Sequence, residues 1–497
     1  MIKGNTREPS NLLEELLSGA VVAAAAGAAL LSILWWIQYD PALWVQKRVP
    51  LSRGEIPSSN TLPRVDIKGQ YASFDVPVPF LEGSWPRFRG EGFDNINVES
   101  VPLAGSWDGS GPSVLWSVQL GEGHAGAAVR NGRVYLLDYD EEEKADTLRC
   151  LSLVDGRELW RRWYRTGAKR NHGISRTVPA VSDRYVVTIG PRCHVLCVDA
   201  ATGDFRWGLD LVRDFGTKEP LWFTAQHPII DQGLAVIAPA GRVLMMAVDC
   251  ETGRTVWETP NPRGWRMSHS SVVPMTVNGR RMYLYAALGG IVGVAADGPN
   301  AGEVLWETTE WNHSVVAPSP VVMEDGMFLM TSGYGVGSAT FQVSERDSQY
   351  SVRLVKRFEK GHFASEQQTP IFYRGRLYTI MPKDGGSLRR QAVCMEPGGT
   401  MIYSSGKDSR FGLGPFMIAD GRIFILNDDG NLTIARAHTD SFEPVSRTRV
   451  LEGRDAWAPL ALAGGRMLLR DSKRMVCLDL RQETVSAGLA VQRGDRL

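Results

Sequence analysis

Short apolar runs separated by glycine-containing turns dominate the hydrophobic pattern of this chain. The runs are rich in Val, Ile, Leu and Tyr, and between the turns there is no long apolar pattern of helical period. Asn-Gly and Asp-Gly between such runs favour hairpins, because glycine adopts a positive φ without steric cost. The turns lie at positions 132, 183, 233, 279, 326, 375, 421 and 465, spaced 44 to 51 residues apart. This pattern predicts eight units of about four antiparallel strands, which is typical of propeller blades.

A second motif follows the hairpins, and its complete copies run from Cys197 to Trp207 and from Ala247 to Trp257. Partial copies end at Trp160 and Trp306, and the copies in blades five, seven and eight have no Trp. Asp with Thr-Gly predicts a turn between the third and fourth strands, and Trp is expected to pack flat between blades. The residues assigned to this structural role are Trp116, Trp160, Trp207, Trp257, Trp306, Asp199, Asp249, Gly203 and Gly253.

These copies resemble the repeat of the pyrroloquinoline-quinone-like (PQQ-like) β-propellers, which reads Ala-x-Asp-x-x-Thr-Gly-x-x-x-Trp. The resemblance extends over residues 84 to 482, and the segment Ser-Trp-Pro-Arg-Phe-Arg-Gly at 84–90 is similar to the first segment of the family. It implies an all-β, eight-bladed propeller. Residues 458–480 lack a fourth strand with Trp, so we expect residues 112–120 to complete the last blade and close the ring. Residues 485–491 are the alternative closing strand.

An uncharged segment from Gly19 to Ile37 precedes the propeller. As a helix rising about 1.5 Å per residue it spans roughly 28 Å, which suffices for the hydrocarbon core of a bilayer. Trp35 and Trp36 lie where interfacial aromatic residues are found. A cleaved signal peptide is the alternative, but the preceding residues contain three acidic and only two basic side chains, and no small residues follow the apolar core. We therefore expect an uncleaved single-pass anchor.

The predicted organisation has five parts: an N-terminal segment (1–18), a transmembrane helix (19–38), a proline-containing linker (39–83), the propeller (84–482) and a C-terminal tail (483–497). Lys and Arg flank the helix on both sides, so charge does not fix its orientation. The resemblance implies an extracytoplasmic propeller, which predicts a cytoplasmic (inner) membrane protein facing the periplasm or an equivalent space. Lys plus Arg and Asp plus Glu number 55 each, which argues against a nucleic-acid partner.

Four of the six cysteines occupy the alanine position of the repeat: Cys150, Cys197, Cys394 and Cys477. A residue at this position is expected to be small and buried, and a buried free cysteine behaves as a small hydrophobe. Because these four belong to different blades, we do not expect disulfides among them. A bond between Cys193 and Cys197, or between either of them and Cys250, is the alternative.

The resemblance also implies a possible cofactor, because the enzymes of the family hold pyrroloquinoline quinone over the channel. They bind Ca²⁺ through Glu and Asn, use an Asp base, and in many cases contain a vicinal Cys pair. This chain has no Cys-Cys pair, no Cys-x-x-Cys-His segment for haem and no long insertions to enclose a substrate. We therefore expect no cofactor, and no catalytic residue is assigned.

Polar residues in the connectors that lead into the first strands form the one candidate ligand site. Such connectors lie on one face of a propeller, around the channel mouth, where they can bind an anion, a metal or the acidic loop of a partner. Their varied spacing gives weak support to a metal, and ordinary polar loops are the alternative. The candidates are His124, His172, His227, His269, His313, His362, Arg176 and Arg266.

A turn at Asp428-Asp-Gly-Asn has the oxygen-rich composition of a Ca²⁺ loop but lacks the later bidentate Glu, which favours an ordinary turn. We expect the whole protein to act as a non-enzymatic scaffold with protein partners in a membrane complex, as the non-enzymatic relatives in outer-membrane assembly do. A quinone-binding or metal-binding oxidoreductase or sensor that uses the channel mouth is the alternative hypothesis.

Overall fold

The structure, a computed structural model, describes residues 9–38, 64–107, 111–168 and 173–482. The chain divides into two compact units, Met1–Ser58 and Ser59–Leu497. The first unit contains helix α1 (Pro9–Gln38). Its segment Leu17–Trp35 is exposed, and it is long and apolar enough to cross a membrane. A membrane anchor and a signal sequence both have these properties.

The second unit is built mainly from short strands. In chain order the first seven are β1 (Gln70–Ser73), β2 (Ile96–Asn97), β3 (Val114–Gln119), β4 (Ala128–Arg130), β5 (Arg133–Asp140), β6 (Ala145–Ser152) and β7 (Glu158–Arg165). Then come β8 (Ala180–Val181), β9 (Tyr185–Ile189), β10 (His194–Asp199), β11 (Phe205–Asp210), the short helix α2 (Leu211–Phe215), β12 (Ile229–Asp231), β13 (Leu234–Ile237), β14 (Val243–Asp249) and β15 (Thr255–Pro260).

The central part of the chain continues with β16 (Val273–Val277), β17 (Arg280–Ala287), β18 (Gly290–Ala295), β19 (Val304–Thr308), β20 (Val321–Val322), β21 (Met327–Ser332), β22 (Gly337–Arg346) and β23 (Gln349–Phe358). The last part comprises β24 (Ile371–Tyr373), β25 (Arg376–Ile380), a 3₁₀ helix (Gly386–Leu388), β26 (Ala392–Met395), β27 (Met401–Ser404), β28 (Phe416–Ala419), β29 (Arg422–Leu426), β30 (Asn431–Arg436), β31 (Pro444–Arg449), β32 (Ala461–Ala463), β33 (Arg466–Arg470) and β34 (Arg474–Asp479).

These strands form eight antiparallel blades in the described part of the chain, which confirms the predicted eight-bladed propeller. Blades one to seven take four consecutive strands each, β4–β7 through β28–β31, and blade eight contains β32, β33, β34 and β3. Buried side chains from successive blades make up the core; one cluster, for example, joins blades two, three and four. Each blade thus buries its apolar faces against its neighbours.

The hairpins between first and second strands lie at the predicted turns. In seven of the eight blades both central turn residues have positive φ, as at Asn131 (51°) and Gly132 (73°). That geometry is a type I′ turn, whose twist matches the twist of the flanking strands. Blade two is the exception, because the residues around Asp183 do not have positive φ.

Each repeat tryptophan in the first three blades packs against the turn glycine of the blade that follows. A Cβ atom added to Gly253 would lie 2.7 Å from the ring of Trp207, and the Trp207 indole nitrogen donates to the Cys250 carbonyl at 2.9 Å. The same packing of ring on glycine joins Trp116 to Gly156, Trp160 to Gly203 and Trp257 to Gly302. Trp and Gly recur at fixed offsets because together they form the contact between blades.

The small residue of the repeat lies directly opposite this tryptophan on the neighbouring strand. Cys197 pairs with Trp207, and a β-bulge follows the pair. The equivalent pairs are Cys150 with Trp160, Ala247 with Trp257, Gly293 with Trp306, Cys394 with Tyr403 and Cys477 with Trp116. All six cysteines are buried and free, so the structure contains none of the disulfides weighed as alternatives. The site is small because the indole ring occupies the adjoining space.

The N-terminal strand β3 closes the ring, as predicted. It pairs antiparallel with β34 and brings Trp116 opposite Cys477. Blade eight therefore receives from the N-terminal side the tryptophan that its own repeat lacks. Residues 485–491, the alternative closing strand, lie outside the described residues. Closure by hydrogen bonding gives blade eight a complete four-stranded sheet, as in blades two to six.

A segment of residues 84–99, which we call the crossing segment, runs across the hairpin-turn end of the central channel. Trp85 forms a backbone bridge to Val129 in blade one. Farther on, the Arg89 guanidinium donates to the Pro370 carbonyl at 2.9 Å, just before blade six. Strand β2 then pairs parallel with β28 of blade seven. The crossing segment thereby ties together blades that lie on different sides of the ring.

Residues 64–83, the last part of the predicted linker, lie against the propeller instead. Strand β1 pairs with β7 as a fifth strand of blade one. Ile67 is buried, and Arg162 donates to the Lys68 carbonyl at 2.7 Å. The linker prediction for 39–83 is therefore wrong over these residues, because β1 pairs with blade one and Ile67 is buried in the core shared by blades one and two. Residues 39–63 lie outside the described part of the chain, as does the predicted tail at 483–497.

Candidate functional site

A cavity of about 350 Å³ opens on the connector face of the propeller. We call it the axial cavity. Its walls come from the connectors that lead into the first strands and from two loops between second and third strands, and its side chains include both aromatic and charged groups. The polar and aromatic residues that line it are Phe88, His124, Arg176, Trp222, His227, His269, Tyr334, Glu366, Gln367, Gln368, Lys383 and Trp457.

Four of the predicted ligand-binding residues line this cavity: His124, His227, His269 and Arg176. Their assignment to ligand binding stays a prediction, but the structure brings them together from four connectors. The connectors converge because each one delivers the chain from an outer strand back to the axis of the ring. His172 lies outside the described residues.

Three other candidates do not line the axial cavity. His313 packs edge-on against Trp311, with ring centroids 4.5 Å apart. A ring nitrogen of His362 lies 2.8 Å from the Gly399 carbonyl oxygen. Arg266 forms a backbone bridge with Leu288, and its side chain is exposed. Their connectors enter the same face, but the side chains pack beside their own blades.

His227 lies at the floor of the axial cavity. Its ring stacks on Phe88 of the crossing segment at a centroid distance of 3.8 Å. The Val178 backbone N–H donates to its Nδ1 atom at 2.7 Å. Burial lowers the pKa of His227 to about 3, so the ring is neutral near pH 7. His227 thus acts as a packed hydrogen-bond acceptor, and with Phe88 it separates the axial cavity from a smaller void below.

His269 and Arg176 give the wall of the cavity its electrostatic character. Burial, together with the positive charge of Arg176, lowers the pKa of His269 to about 4. Burial lowers the pKa of Arg176 to about 10, so its guanidinium keeps its charge near pH 7. The Nδ1 atom of His269 is buried without a hydrogen-bond partner among the described residues. The cavity therefore combines neutral imidazoles with a cation.

Aromatic side chains that were not predicted from the sequence form one wall of the axial cavity. Trp222 lies 6.0 Å from both the His269 ring and the Tyr334 ring, in near-parallel orientation. The Lys383 ammonium lies 5.6 Å from the centre of the Tyr334 ring. Trp222 lies in a connector, away from the Trp position of the repeat. That unusual placement was the available sequence signal for a role other than blade packing.

The carboxylate of Glu366 is already engaged within the cavity. Its side chain is nearly fully buried and forms an ion pair with Lys383 at 3.1 Å. Among the described residues, no group of three or more His, Cys, Asp or Glu side chains is arranged to hold a metal ion. The resemblance assigns Glu, Asn and an Asp base to the quinone enzymes, whereas Glu366 is the one carboxylate among the described lining residues. The described residues therefore do not fit that site.

The family model described as outer membrane protein assembly factor BamB matches residues 98–268 and 222–486 of the chain. No curated protein sequence matches this chain. Among solved structures, BamB from Moraxella catarrhalis is similar, with 14% identity and a TM-score of 0.50. The match covers 75% of this chain and 99% of that one. At this identity the similarity shows a shared fold.

Other solved structures align over similar lengths. The computationally designed Ika8 protein has 13% identity and a TM-score of 0.49, covering 73% of this chain and 99% of that one. Quinohemoprotein alcohol dehydrogenase from Comamonas testosteroni has 10% identity and a TM-score of 0.43, covering 81% of each chain.

Proposed function

The chain belongs to the PQQ-like propeller family described as outer membrane protein assembly factor BamB, and from this premise we propose that it is a membrane-anchored scaffold for protein interactions. In this proposal α1 is an uncleaved anchor in the cytoplasmic membrane, and the propeller lies on the extracytoplasmic side. The connector face binds a partner in a membrane complex. The fold suits this role because a rigid ring presents a broad surface of loops.

The observation that carries the proposal is the composition of the mouth of the axial cavity. Leu221 is 76% exposed and Tyr334 is 48% exposed, and Trp222 is partly exposed beside them. Below these side chains lies the charged guanidinium of Arg176. Trp, Tyr and Arg are the residues in which binding energy concentrates at protein interfaces.

This composition specifies the chemistry of the partner segment. An apolar side chain of the partner would cover Leu221 and Trp222, and an adjacent acidic side chain would reach toward Arg176. A carboxylate is favoured there because a charge-assisted hydrogen bond in a partly desolvated cavity is stronger than one in water. Glu366 opposes this attraction only weakly, since Lys383 neutralises it.

The partner interaction is tested by affinity purification of the full chain from detergent-solubilised membranes. The double variant Leu221→Asp/Trp222→Ala is compared with the wild type and with Val445→Asp, which places the same charge on an exposed outer strand of blade seven. We expect the wild type and Val445→Asp to retain the same membrane-complex subunits and the double variant to lose them. Recovery of the same subunits by all three proteins, or of none by the wild type, contradicts the proposal.

The topology is tested separately by fusing alkaline phosphatase after Leu497 and assaying it in intact cells. An extracytoplasmic propeller predicts an active fusion. An inactive but stably produced fusion contradicts this orientation. Size comparison of the purified protein with an unprocessed standard distinguishes an anchor from a cleaved signal sequence, because cleavage removes the segment Leu17–Trp35.

A further inference from the structure

The loop between β25 and β26 of blade six is the longest of its kind among the described blades. It has 11 residues, 381–391, whereas the corresponding loops of the other blades have two to five. Two backbone hydrogen bonds join the beginning of the loop to its end. The Met381 N–H donates to the Gln391 carbonyl, and the Arg390 N–H donates to the Met381 carbonyl. The Gln391 side chain also donates to the Ser387 carbonyl at 2.8 Å. These bonds hold an exposed insertion in a defined shape.

The backbone of this loop is strained at Arg390, whose φ of 59° lies in the left-handed region. That conformation costs about 1–2 kcal/mol for a residue with a Cβ atom. It persists because the Arg390 N–H donates to the Met381 carbonyl at 3.0 Å and the Arg390 carbonyl accepts from Phe411 at 2.7 Å. Strained conformations of this kind concentrate at binding sites.

The insertion builds one side of a pocket of about 490 Å³. Arg389 and Arg390 line it from the loop, and Arg410 lines it from the connector into blade seven, which a backbone bridge from Gln391 holds in place. We call this space the arginine pocket. It lies beside the axial cavity, and Lys383 lines both.

The three arginines have no protein counter-ion in the part of the chain that the structure describes. None of their guanidinium groups forms an ion pair or a side-chain hydrogen bond there, and the Arg410 Nε atom is buried without a partner. Arginines elsewhere in the propeller are commonly paired; Arg149, for example, bonds to both Asp138 and Glu158. Three arginines thus line one space, and no described protein side chain or carbonyl accepts a hydrogen bond from their guanidinium groups.

Two carboxylates line the other side of the arginine pocket. One oxygen of Asp428 already accepts hydrogen bonds from the Leu413 backbone and the Trp457 indole, both at 2.8 Å. Asp429 is exposed at the edge of the pocket, and its carboxylate has no bonded partner among the described residues. The pocket therefore has an excess of positive charge together with an acceptor for hydroxyl groups.

We propose that the arginine pocket binds the phosphate group of an organic phosphate that also has hydroxyl groups. A phosphate dianion offers enough oxygen atoms for three guanidinium forks, which match phosphate geometry in a bidentate way. The volume lies within the range of about 300–1,000 Å³ typical of small-ligand sites, so an organic portion fits beside the phosphate. Asp429 is positioned to accept a hydrogen bond from a hydroxyl of that portion.

Calorimetric titration of the full chain in neutral detergent tests this proposal. The probes are inorganic phosphate, glucose 6-phosphate as a free sugar phosphate, and dihexanoyl phosphatidic acid as a lipid phosphate. The triple variant Arg389→Gln/Arg390→Gln/Arg410→Gln should bind the phosphate probes about a hundredfold more weakly, since it removes several charge-assisted hydrogen bonds. The matched control is Arg254→Gln/Arg346→Gln/Arg374→Gln, which removes three exposed arginines outside the pocket: two in hairpin turns and one at the end of β22.

The relative affinities identify the source of the phosphate. Tighter binding of glucose 6-phosphate supports a free phosphorylated ligand, and tighter binding of dihexanoyl phosphatidic acid supports a lipid headgroup. Absence of binding by the wild type, or equal binding by the wild type and the triple variant, overturns the proposal. Equal loss in the control variant also overturns it, because the effect would then follow net charge alone.

A second variant keeps the test independent of any folding defect in the triple variant. Asp429 is exposed, and Asp429→Asn removes a negative charge from the edge of the pocket without changing the size of the side chain. We expect this variant to bind inorganic phosphate several-fold more tightly at low salt, with a smaller difference at high salt. Unchanged or weaker phosphate binding at low salt contradicts the proposal.

Discussion

Blades three and six use the same four-stranded frame in different ways. Blade three has the complete repeat with Trp257, and its second and third strands are joined by the five-residue loop 238–242. Blade six has Tyr403 at the Trp position and the 11-residue loop 381–391. The blade that keeps the repeat contributes packing, whereas the blade that has lost it presents charged side chains at a pocket. The repeat therefore reports the contact between blades and gives no information about the loops that line a pocket.

The contacts between blades show the same difference. Trp257 packs on Gly302, where an added Cβ atom would lie 3.0 Å from the indole. Tyr403 is equally buried, but its ring centroid lies 6.3 Å from that of Phe442 in a tilted arrangement. A tyrosine ring covers less apolar area than an indole. We infer that blade six adheres to its neighbour less strongly than blade three does.

Truncation of these two rings has the largest expected effect. Trp257→Ala should lower the free energy of unfolding by about 3–5 kcal/mol, as expected for a buried aromatic residue. Tyr403→Ala should cause a smaller loss of unfolding free energy, because a smaller ring leaves a smaller cavity. We expect the two losses to differ by about 1 kcal/mol or more. Guanidinium unfolding followed by circular dichroism measures both. An equal or larger loss for Tyr403→Ala would show that the two blades are equally well packed.

Adding a methyl group at two glycines separates steric packing from backbone strain. Gly253 of blade three has φ 71°, and its added Cβ atom would lie 2.7 Å from the Trp207 ring; Gly386 in the blade-six loop has φ 61° and no atom within 4 Å. Gly253→Ala should therefore cost about 2–4 kcal/mol, from strain and overpacking together. Gly386→Ala should cost about 1 kcal/mol, from strain alone. Equal unfolding midpoints for the two variants would refute the proposed Trp–Gly contact.

His227, in the connector into blade three, is expected to make the stability of the protein depend on pH. Its pKa is lowered to about 3 in the folded state, against about 6.5 when unfolded. The unfolded state therefore takes up a proton first, and stability falls as the pH drops from about 6.5 toward 3. His227→Gln keeps a hydrogen-bond acceptor for Val178 and removes this titration. The slope of its unfolding free energy against pH should therefore be smaller, by up to the contribution of one proton taken up on unfolding.

The difference between the two stability profiles is the relevant measurement, because Asp146 titrates with the opposite sign. Burial raises the pKa of Asp146 to about 7, so its contribution is lost as the pH rises from about 4 to 7 in both proteins. Urea unfolding at a series of pH values gives each profile. Parallel profiles for the wild type and His227→Gln would mean that His227 does not titrate in this range.

The smallest expected effect is a gain in stability, and it comes from a substitution in blade six. Arg390→Gly should stabilise the protein by about 1 kcal/mol, since glycine adopts a φ of 59° without strain. The same change should weaken phosphate binding. Arg389→Gly is the control: its φ is −48°, so glycine there relieves nothing and should cost a few tenths of a kcal/mol or more. Destabilisation by Arg390→Gly would show that the left-handed backbone stores no strain.

The fold was predictable because its determinants are local and repeated. Turn glycines such as Gly132 and repeat tryptophans such as Trp207 act within one blade or between two neighbours, so each copy in the sequence reports the same contact. The ring-closing strand was predictable because Trp116 supplied what the last repeat lacked. By contrast, the crossing segment has no periodic signal. The hydrogen bond from Arg89 to Pro370 joins residues 281 positions apart, which no local pattern encodes.

The candidate site was only partly predictable for the same reason. The connector positions of His124, His227 and His269 followed from the propeller fold, but the direction in which each side chain points depends on its own packing. His313 and His362 occupy similar sequence positions and pack elsewhere. The arginine pocket needed both the loop and the connector of Arg410 to be placed in space. The long loop 381–391 left no sequence signal, because the turns at 375 and 421 are 46 residues apart, within the ordinary range of blade spacings.

Closure of the ring by β3 also bears on how the protein is made. The Arg474 guanidinium donates to the Ser117 hydroxyl 357 residues earlier in the chain, and this contact belongs to the sheet that completes the circle. At about 5–20 residues per second, synthesis of the intervening chain takes roughly 20–70 s. During that interval the N-terminal strand has no partner, and its exposed edge and Trp116 are open to misassociation. Protection of this strand until blade eight emerges would therefore prevent misassociation during synthesis.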